Sequence, residues 1–284
     1  MKKKKTGRGI AFWIMFVMTV FGFLFLVRKL YQVYQSNQEA KKISTSYTEK
    51  VEDSGIVIKE AHPQSFNKVH AEKESVRKET RYADLPPVDG FNPKFDALKM
   101  HNSDCIGWIR FPTPDCISYP ILWKKGDNAF YLHHDVNGHS DKNGSIFLDG
   151  ENEPDFTDQN TLIYGHNMWN NVMFSRLSDY RSEEQWKKSP YFFIYRPDGI
   201  ELVCRIYAAT EIDDVDGVYQ QTNFEDEETY AVYLKAWSER SLYKTDTHLD
   251  VHATSITLST CIRQLQSDRR FIVQALVVEK RKYD

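Results

Sequence analysis

Eight short runs of strand-forming residues between Ile106 and Val278, each bounded by turn signals, constrain the fold of this chain more than any other feature. They span 106–111, 117–123, 145–148, 161–164, 191–195, 201–210, 256–260 and 271–278. Pro112-Thr113-Pro114, Lys124-Lys125-Gly126-Asp127 and Lys142-Asn143-Gly144 punctuate them, and Pro197-Asp198-Gly199 is a hairpin signal between the fifth and sixth. Runs this short, at this spacing, predict a mainly β domain of eight strands, an antiparallel barrel or sandwich. Two helices accompany the pattern, one ahead of the first run and one within the series. Phe95 to Met100 forms a short one. Phe224 to Arg240 forms a long one, with Asn223 as N-cap and Glu225, Asp226, Glu227 and Glu228 in the dipole-favoured first turn. Tyr230, Tyr233, Leu234 and Trp237 recur at helical spacing, so this helix packs an apolar face on the strands.

Charge is distributed unevenly along the chain. Residues 1–44 carry a net +8, which against −3 for the whole chain leaves −11 on the remainder. General nucleic-acid binding wants a basic patch on the folded domain, so an acidic body argues against it. The basic end has another explanation. Ile10 to Val27 is an 18-residue run without a charge, long enough for a helix to cross a hydrocarbon core of roughly 30 Å. Arg28 and Lys29 follow it where a secretory signal would have small residues, which predicts an uncleaved anchor. Lys2, Lys3, Lys4, Lys5 and Arg8 outnumber the charges behind the run, so the N-terminus is expected in the cytoplasm and the rest outside. The expected organisation is a basic segment 1–9, a transmembrane helix 10–27, a polar stalk 28–81 and a folded domain 82–284.

The chemistry concentrates at two strand ends. Thr257-Leu258-Ser259-Thr260 alternates as a half-buried strand and delivers Cys261 at its end, with a polar loop and Arg269-Arg270 close behind. A thiol beside a fixed positive charge is a chemically loaded pair, because only the thiolate is a good nucleophile. Upstream, the apolar run Thr161-Leu162-Ile163-Tyr164 ends at Gly165 and presents His166, suited to acid/base work at a barrel rim. Of the other cysteines, Cys204 lies among core residues, while Cys105 and Cys116 either pair or stay as buried thiols. His133, His134, His139 and Asp135 make a polar cluster, but adjacent histidines on an extended chain point apart, so a solvated turn is expected there rather than a metal site. A cysteine, a histidine and an arginine from three strand ends make a Cys–His nucleophile with a cationic stabiliser, provided that they meet.

Taken together these residues resemble a class B sortase. The resemblance rests on Thr257-Leu258-Ser259-Thr260-Cys261, on Arg270 opening the last strand, and on Leu162-Ile163-Tyr164-Gly165-His166-Asn167-Met168. Ile106-Gly107-Trp108-Ile109, Tyr119-Pro120-Ile121, Asp127-Asn128 with Tyr131-Leu132, and Gly144-Ser145-Ile146-Phe147-Leu148-Asp149 extend it, as does the long helix before the cysteine strand. It covers about residues 82–284. The resemblance implies an eight-stranded sortase β-barrel and a membrane-anchored cysteine transpeptidase on a Gram-positive surface. It implies Cys261 as nucleophile toward a threonine carbonyl in the sorting signal of a secreted protein. His166 becomes the acid and base, and Arg270 holds substrate and oxyanion. The acceptor is an amine of a cell-wall precursor or of a pilin lysine. Asn128, Leu132 and Ser259 match substrate-binding positions, and neither a metal nor an organic cofactor is implied. Ile262 departs from the family, which usually has a polar residue after the cysteine. Arg270 is preferred to Arg269 because it directly precedes Phe271-Ile272-Val273, and alternation turns the two arginines to opposite faces.

Two rivals use the same residues. A cysteine protease would resolve the acyl-enzyme with water, but papain-like enzymes place the cysteine first and the caspase signature is missing. A catalytically silent surface module would only display a peptide groove.

Overall fold

The computed structural model describes residues 82–112, 117–213, 217–261 and 269–283. The predicted basic segment, anchor and stalk, Cys116 and Ile262 lie outside the described residues. Within them no helix is long and apolar enough to cross a membrane.

Short runs rich in apolar and β-branched residues form the eight strands: β1 Cys105–Arg110, β2 Ser118–Leu122, β3 Ile146–Leu148, β4 Asn160–Tyr164, β5 Tyr191–Tyr195, β6 Ile200–Asp213, β7 Ser255–Cys261 and β8 Arg269–Lys282. β1 alternates in burial, while the rest are buried on both faces along much of their length. All eight close into a barrel in the order β1-β2-β3-β4-β7-β8-β6-β5. Closure decides between the barrel and the sandwich, and it leaves no open sheet edge. The expectation of antiparallel pairing is corrected twice. β2 runs parallel to β3, and β4 runs parallel to β7. The chain between Leu122 and Ile146 is a long excursion rather than a hairpin, which lets it re-enter the sheet in the same direction. Between β4 and β7 the chain makes β5, β6 and the long helix, so parallel entry again has the length it needs.

Alternate residues fill the barrel: Ile109, Ile121, Ile163, Leu258 and Val273 all point into one core with Phe174 and Phe192. The opposite row of β4, β6 and β8 carries Leu162, Tyr207, Ile272 and Leu276, which are covered by a helix. The helices are α1 Phe95–His101, α2 Glu183–Lys188 and α3 Glu227–Arg240, with 3-10 turns at Ser175–Arg181 and Gly217–Gln220. α3 buries Tyr230, Tyr233, Leu234 and Trp237, the face read from the sequence. Its start is corrected from Phe224 to Glu227. Asp226 is the N-cap, its Oδ1 accepting the Thr229 backbone N–H at 2.7 Å, while Asn223 donates to Asp158 at 3.1 Å. Beneath α3 a polar chain replaces grease. The Thr257 hydroxyl donates to Asn160 Oδ1 at 2.7 Å, and Gln274 Nε2 donates to the Tyr233 hydroxyl at 3.0 Å and to Thr257 at 3.3 Å.

Residues 82–91 cross the flank of the barrel as an extended strap. Arg205, 3% exposed, donates to both Asp84 oxygens at 2.9 and 3.0 Å and to Asp246 at 2.6 Å, under the Tyr82 ring. Arg281 donates to the Pro86 carbonyl at 2.6 Å and to that of Pro87 at 3.2 Å, and pairs with buried Glu201. Burial opposes charge on both members of the Asp84–Arg205 pair. Hydrogen bonds win: those of Arg205 and then Tyr191 hold the Asp84 carboxyl below its ordinary value, and those of Asp246 and then Asp84 hold the Arg205 guanidinium above its own.

Candidate active site

The end of β4 is extended by one residue past its last pair, the Gly165 N–H donating to the Ser259 carbonyl of β7 at 3.2 Å. Gly165 has no room for a side chain: a Cβ would stand 2.4 Å from Ile146 Cδ1 and 2.8 Å from the Phe174 ring. His166 follows directly. The backbone there is pinned by Phe174 N–H, which donates to the His166 carbonyl at 3.0 Å. The ring is pinned as well. Its Nε2 lies 2.8 Å from the Leu132 carbonyl oxygen, and since a carbonyl only accepts, Nε2 carries a proton and Nδ1 is the atom left to exchange one.

Leu132 is held in turn. Gly144 follows closely with φ +57°, and a Cβ on it would lie 2.5 Å from the Leu132 oxygen. The Ser145 N–H donates to the Tyr131 carbonyl at 2.9 Å, closing the loop just before β3. So Leu132, expected to bind substrate, orients His166 through its backbone.

Cys261 is the last residue of β7 and the direct register partner of Arg270 on β8. Directly opposite residues in an antiparallel pair have Cα atoms about 4.5–5.5 Å apart. Tyr164 pairs with Ser259 in the parallel β4–β7 ladder. His166 follows the last pair of that ladder by two residues on one strand, as Cys261 does on the other. The three residues read from separate strand ends thus converge at one end of the barrel.

Arg269 is engaged elsewhere. Its guanidinium lies 3.2 Å from Glu211 and 3.6 Å from Asp213, both on β6. Arg270, one residue on, stands between Cys261 of β7 and Ile212 of β6. Alternation alone separates the two arginines, and the acidic pair on β6 claims the first.

Ser259 is 1% exposed and its hydroxyl has no hydrogen-bond partner among the described residues. Asn128, also expected to bind substrate, spends its amide on structure: Oδ1 accepts from Gly150 N–H at 2.7 Å and Nδ2 donates to Asp149 Oδ2 at 3.0 Å. Tyr164 donates to the same Asp149 oxygen at 2.9 Å. Burial, followed by the Asp149 charge, pushes the Tyr164 phenol well above its ordinary value and keeps it a neutral donor. Tyr164 and Asp149 were not singled out as site residues from the sequence. Their signal was their place inside two motifs, Leu162 to Met168 and Gly144 to Asp149, where they read as strand and turn residues.

The remaining candidates are structural. His134 stacks on Phe130 at 4.2 Å between ring centroids and bonds its carbonyl at 2.7 Å, while Asp135 accepts the N–H groups of Asn137 and His139 to close a turn. Among the described residues no three His, Cys, Asp or Glu side chains converge as a metal site would require. Cys105 and Cys204 are buried free thiols, and Cys116, the partner considered for Cys105, lies outside the described residues. Burial pushes Cys105 up to about 12 and raises Cys204 strongly, so neither is a nucleophile.

The sortase domain family matches residues 116–278 of this chain. Sortase B of Listeria monocytogenes is 33% identical over 184 residues, covering 64% of this chain and 73% of that protein. The chain belongs to the sortase B family. As a sortase it is a cysteine transpeptidase. Among solved structures, the Staphylococcus aureus sortase B–substrate complex superposes with a TM-score of 0.60 at 28% identity, over 69% of this chain and 88% of that one. A sortase B complexed with triglycine gives a TM-score of 0.61 at 28% identity, over 68% and 87%. The eight-stranded barrel is therefore the sortase fold, as the strand pattern and its motifs predicted.

Proposed function

We propose that Cys261 attacks the carbonyl of a threonine in the C-terminal sorting signal of a secreted protein. The Cys–acyl bond forms as the threonine amide bond breaks, and His166 gives its proton to the leaving amine. An incoming amine then attacks the thioester, His166 takes its proton, and the thiolate leaves. Arg270 binds the substrate and faces the negative charge that develops on the carbonyl oxygen. The observation that supports this reading is the Cys261–Arg270 register pair, with β4 beside β7 leading to a histidine whose ring is oriented by Leu132.

The likeness to a sortase B bound to triglycine favours an oligoglycine-type amine of a cell-wall precursor over a pilin lysine. Ile10 to Val27 anchors the chain in the membrane, residues 28–81 form the stalk, and residues 82–284 work outside the cell. Incubating the full chain in detergent with a sorting-signal peptide and triglycine should yield the ligated product by mass spectrometry. Cleavage without amine incorporation would point to hydrolysis, and no covalent intermediate would point to a binding module. A lysine-bearing pilin peptide that outcompetes triglycine would reverse the choice of acceptor.

A further inference from the structure

Tyr131 is 2% exposed, yet its ring ends on a charged partner. The phenol donates to Asp104 Oδ2 at 2.6 Å and accepts from Asn102 Nδ2 at 3.0 Å. Packing alone does not ask for that hydroxyl, since a phenylalanine ring would fill the same space. Burial, followed by the hydrogen bond to Asp104, pushes the phenol above its ordinary value and keeps it a neutral donor. A hydroxyl bonded to a carboxylate makes one of the stronger hydrogen bonds, and a fully satisfied buried network of this kind fixes geometry.

Both partners belong to the chain that enters β1. Asn102 caps α1, its backbone N–H donating to the Leu98 carbonyl at 2.9 Å. Its Oδ1 accepts the Asp104 backbone N–H at 2.9 Å, and its Nδ2 also donates to the Val136 carbonyl at 2.9 Å. Asp104 stands immediately ahead of β1, and its carbonyl accepts the Trp123 N–H at 2.9 Å, just past β2. The carboxylate that holds Tyr131 is thus itself fastened to the ends of two barrel strands.

Tyr131 and Leu132 are the central residues of a turn, closed by the His133 N–H donating to the Phe130 carbonyl at 3.0 Å. The first is held by its side chain at Asp104 and by its carbonyl at the Ser145 N–H. The second offers its carbonyl to His166 Nε2 at 2.8 Å. Peptide planes are rigid, so a turn held at two points of Tyr131 fixes where the next carbonyl aims. Release of the phenol leaves the backbone bonds to Ser145 and across the turn as hinges, about which the Leu132 oxygen swings.

We infer that Tyr131 and Asp104 are positioning residues for His166, their hydrogen bond fixing the turn whose Leu132 carbonyl holds the imidazole in its Nε2–H form. The inference rests on the reading of His166 as acid and base.

The test uses the full chain in detergent, labelled with ¹⁵N-histidine, at about pH 8, where an ordinary histidine is neutral. Long-range ¹H–¹⁵N spectra read the tautomer of each ring, and the His166 signals are those missing from His166→Gln. The native ring should be in the Nε2–H form, and Tyr131→Phe should mix in the Nδ1–H form. In transfer of a sorting-signal peptide to triglycine, Tyr131→Phe should lower kcat about tenfold and leave KM within about twofold. Asp104→Ala should behave alike, and the double variant should be no worse than either single one, because both remove the same bond. Asp104→Asn keeps an acceptor for the phenol and should recover most of the loss. Should Tyr131→Phe fail to fold, the same spectra of Asp104→Ala and Asp104→Asn decide. A native tautomer in the folded variants, or losses that simply add, overturns the inference. No transfer by the native chain overturns the reading of the site, while the spectra still show whether this bond aims the ring.

Discussion

The Leu132 carbonyl and the His166 ring are joined by a 2.8 Å hydrogen bond that crosses from the loop before β3 to the end of β4. The bond makes the histidine's aim depend on a glycine in another segment. Gly144→Ala would force an L side chain into positive φ, with its Cβ 2.5 Å from that carbonyl. We expect kcat to fall roughly 10–100-fold, as small displacements of a catalytic group do. Steady-state kinetics with circular dichroism would check it, and native kcat in a folded Gly144→Ala protein would refute the dependence.

Cys261→Ala should abolish transfer, with at least about a 10⁴-fold loss, because nucleophile, base and oxyanion binding act as a unit. A strand-end residue contributes little packing, so the melting temperature should stay within about 2 °C. Residual turnover above that level would remove Cys261 from the mechanism.

The two arginines should separate cleanly. Arg270→Ala should cost about 10²–10³ in kcat/KM, the usual loss of an oxyanion stabiliser. Arg269→Ala removes contacts to Glu211 and Asp213, partly exposed ion pairs worth about 1 kcal/mol or less. It should lower stability slightly and leave transfer within a few-fold. The opposite ranking would move the role to Arg269.

Thiol chemistry offers an independent reading. With Cys105 held as a thiol up to about 12 and Cys204 buried, alkylation of the native protein at pH 8 should leave both unmodified. Peptide mapping after denaturation would find them. Rapid native labelling of Cys105 would contradict its burial.

The strap should respond to acid. The folded-state pKa of Asp84 is depressed below 3.8, so its contribution is present above that value and is lost as pH falls through the folded pKa. The melting temperature of the wild type should exceed that of Asp84→Asn at pH 5, and the two should converge below pH 3.8. A constant difference across that range would mean that the Arg205 contact does not titrate as described.

Much of the fold was legible because burial writes a period into the sequence. Ile256 and Leu258 in the barrel core, with Thr257 and Ser259 on the opposite, also buried, face, predicted β7 to within a residue or so, and a polar break predicted where it ends. Pairing direction was not legible, since the β2–β3 and β4–β7 ladders depend on where long excursions return. The start of α3 was missed because Asn223 and Asp226 are both good caps, and only the tertiary bond of Asn223 to Asp158 removes the first. At the site, Cys261, His166 and Arg270 carried family motifs. The roles of Leu132 and Asn128 lie in backbone and amide contacts with distant loops, which no spacing encodes.

The strap has a mechanical consequence. Residues 82–91 are fastened at Arg205 and Arg281, near the middle and one end of two long neighbouring strands, far along β6 and β8 from Cys261. A pull on the chain ahead of Tyr82 is thus taken up on the flank of the barrel. It loads guanidinium clasps and strands bound along their whole length, and leaves the register of Cys261 and Arg270 unstressed. The domain can be pulled from the side of Tyr82 without its working end feeling the tension.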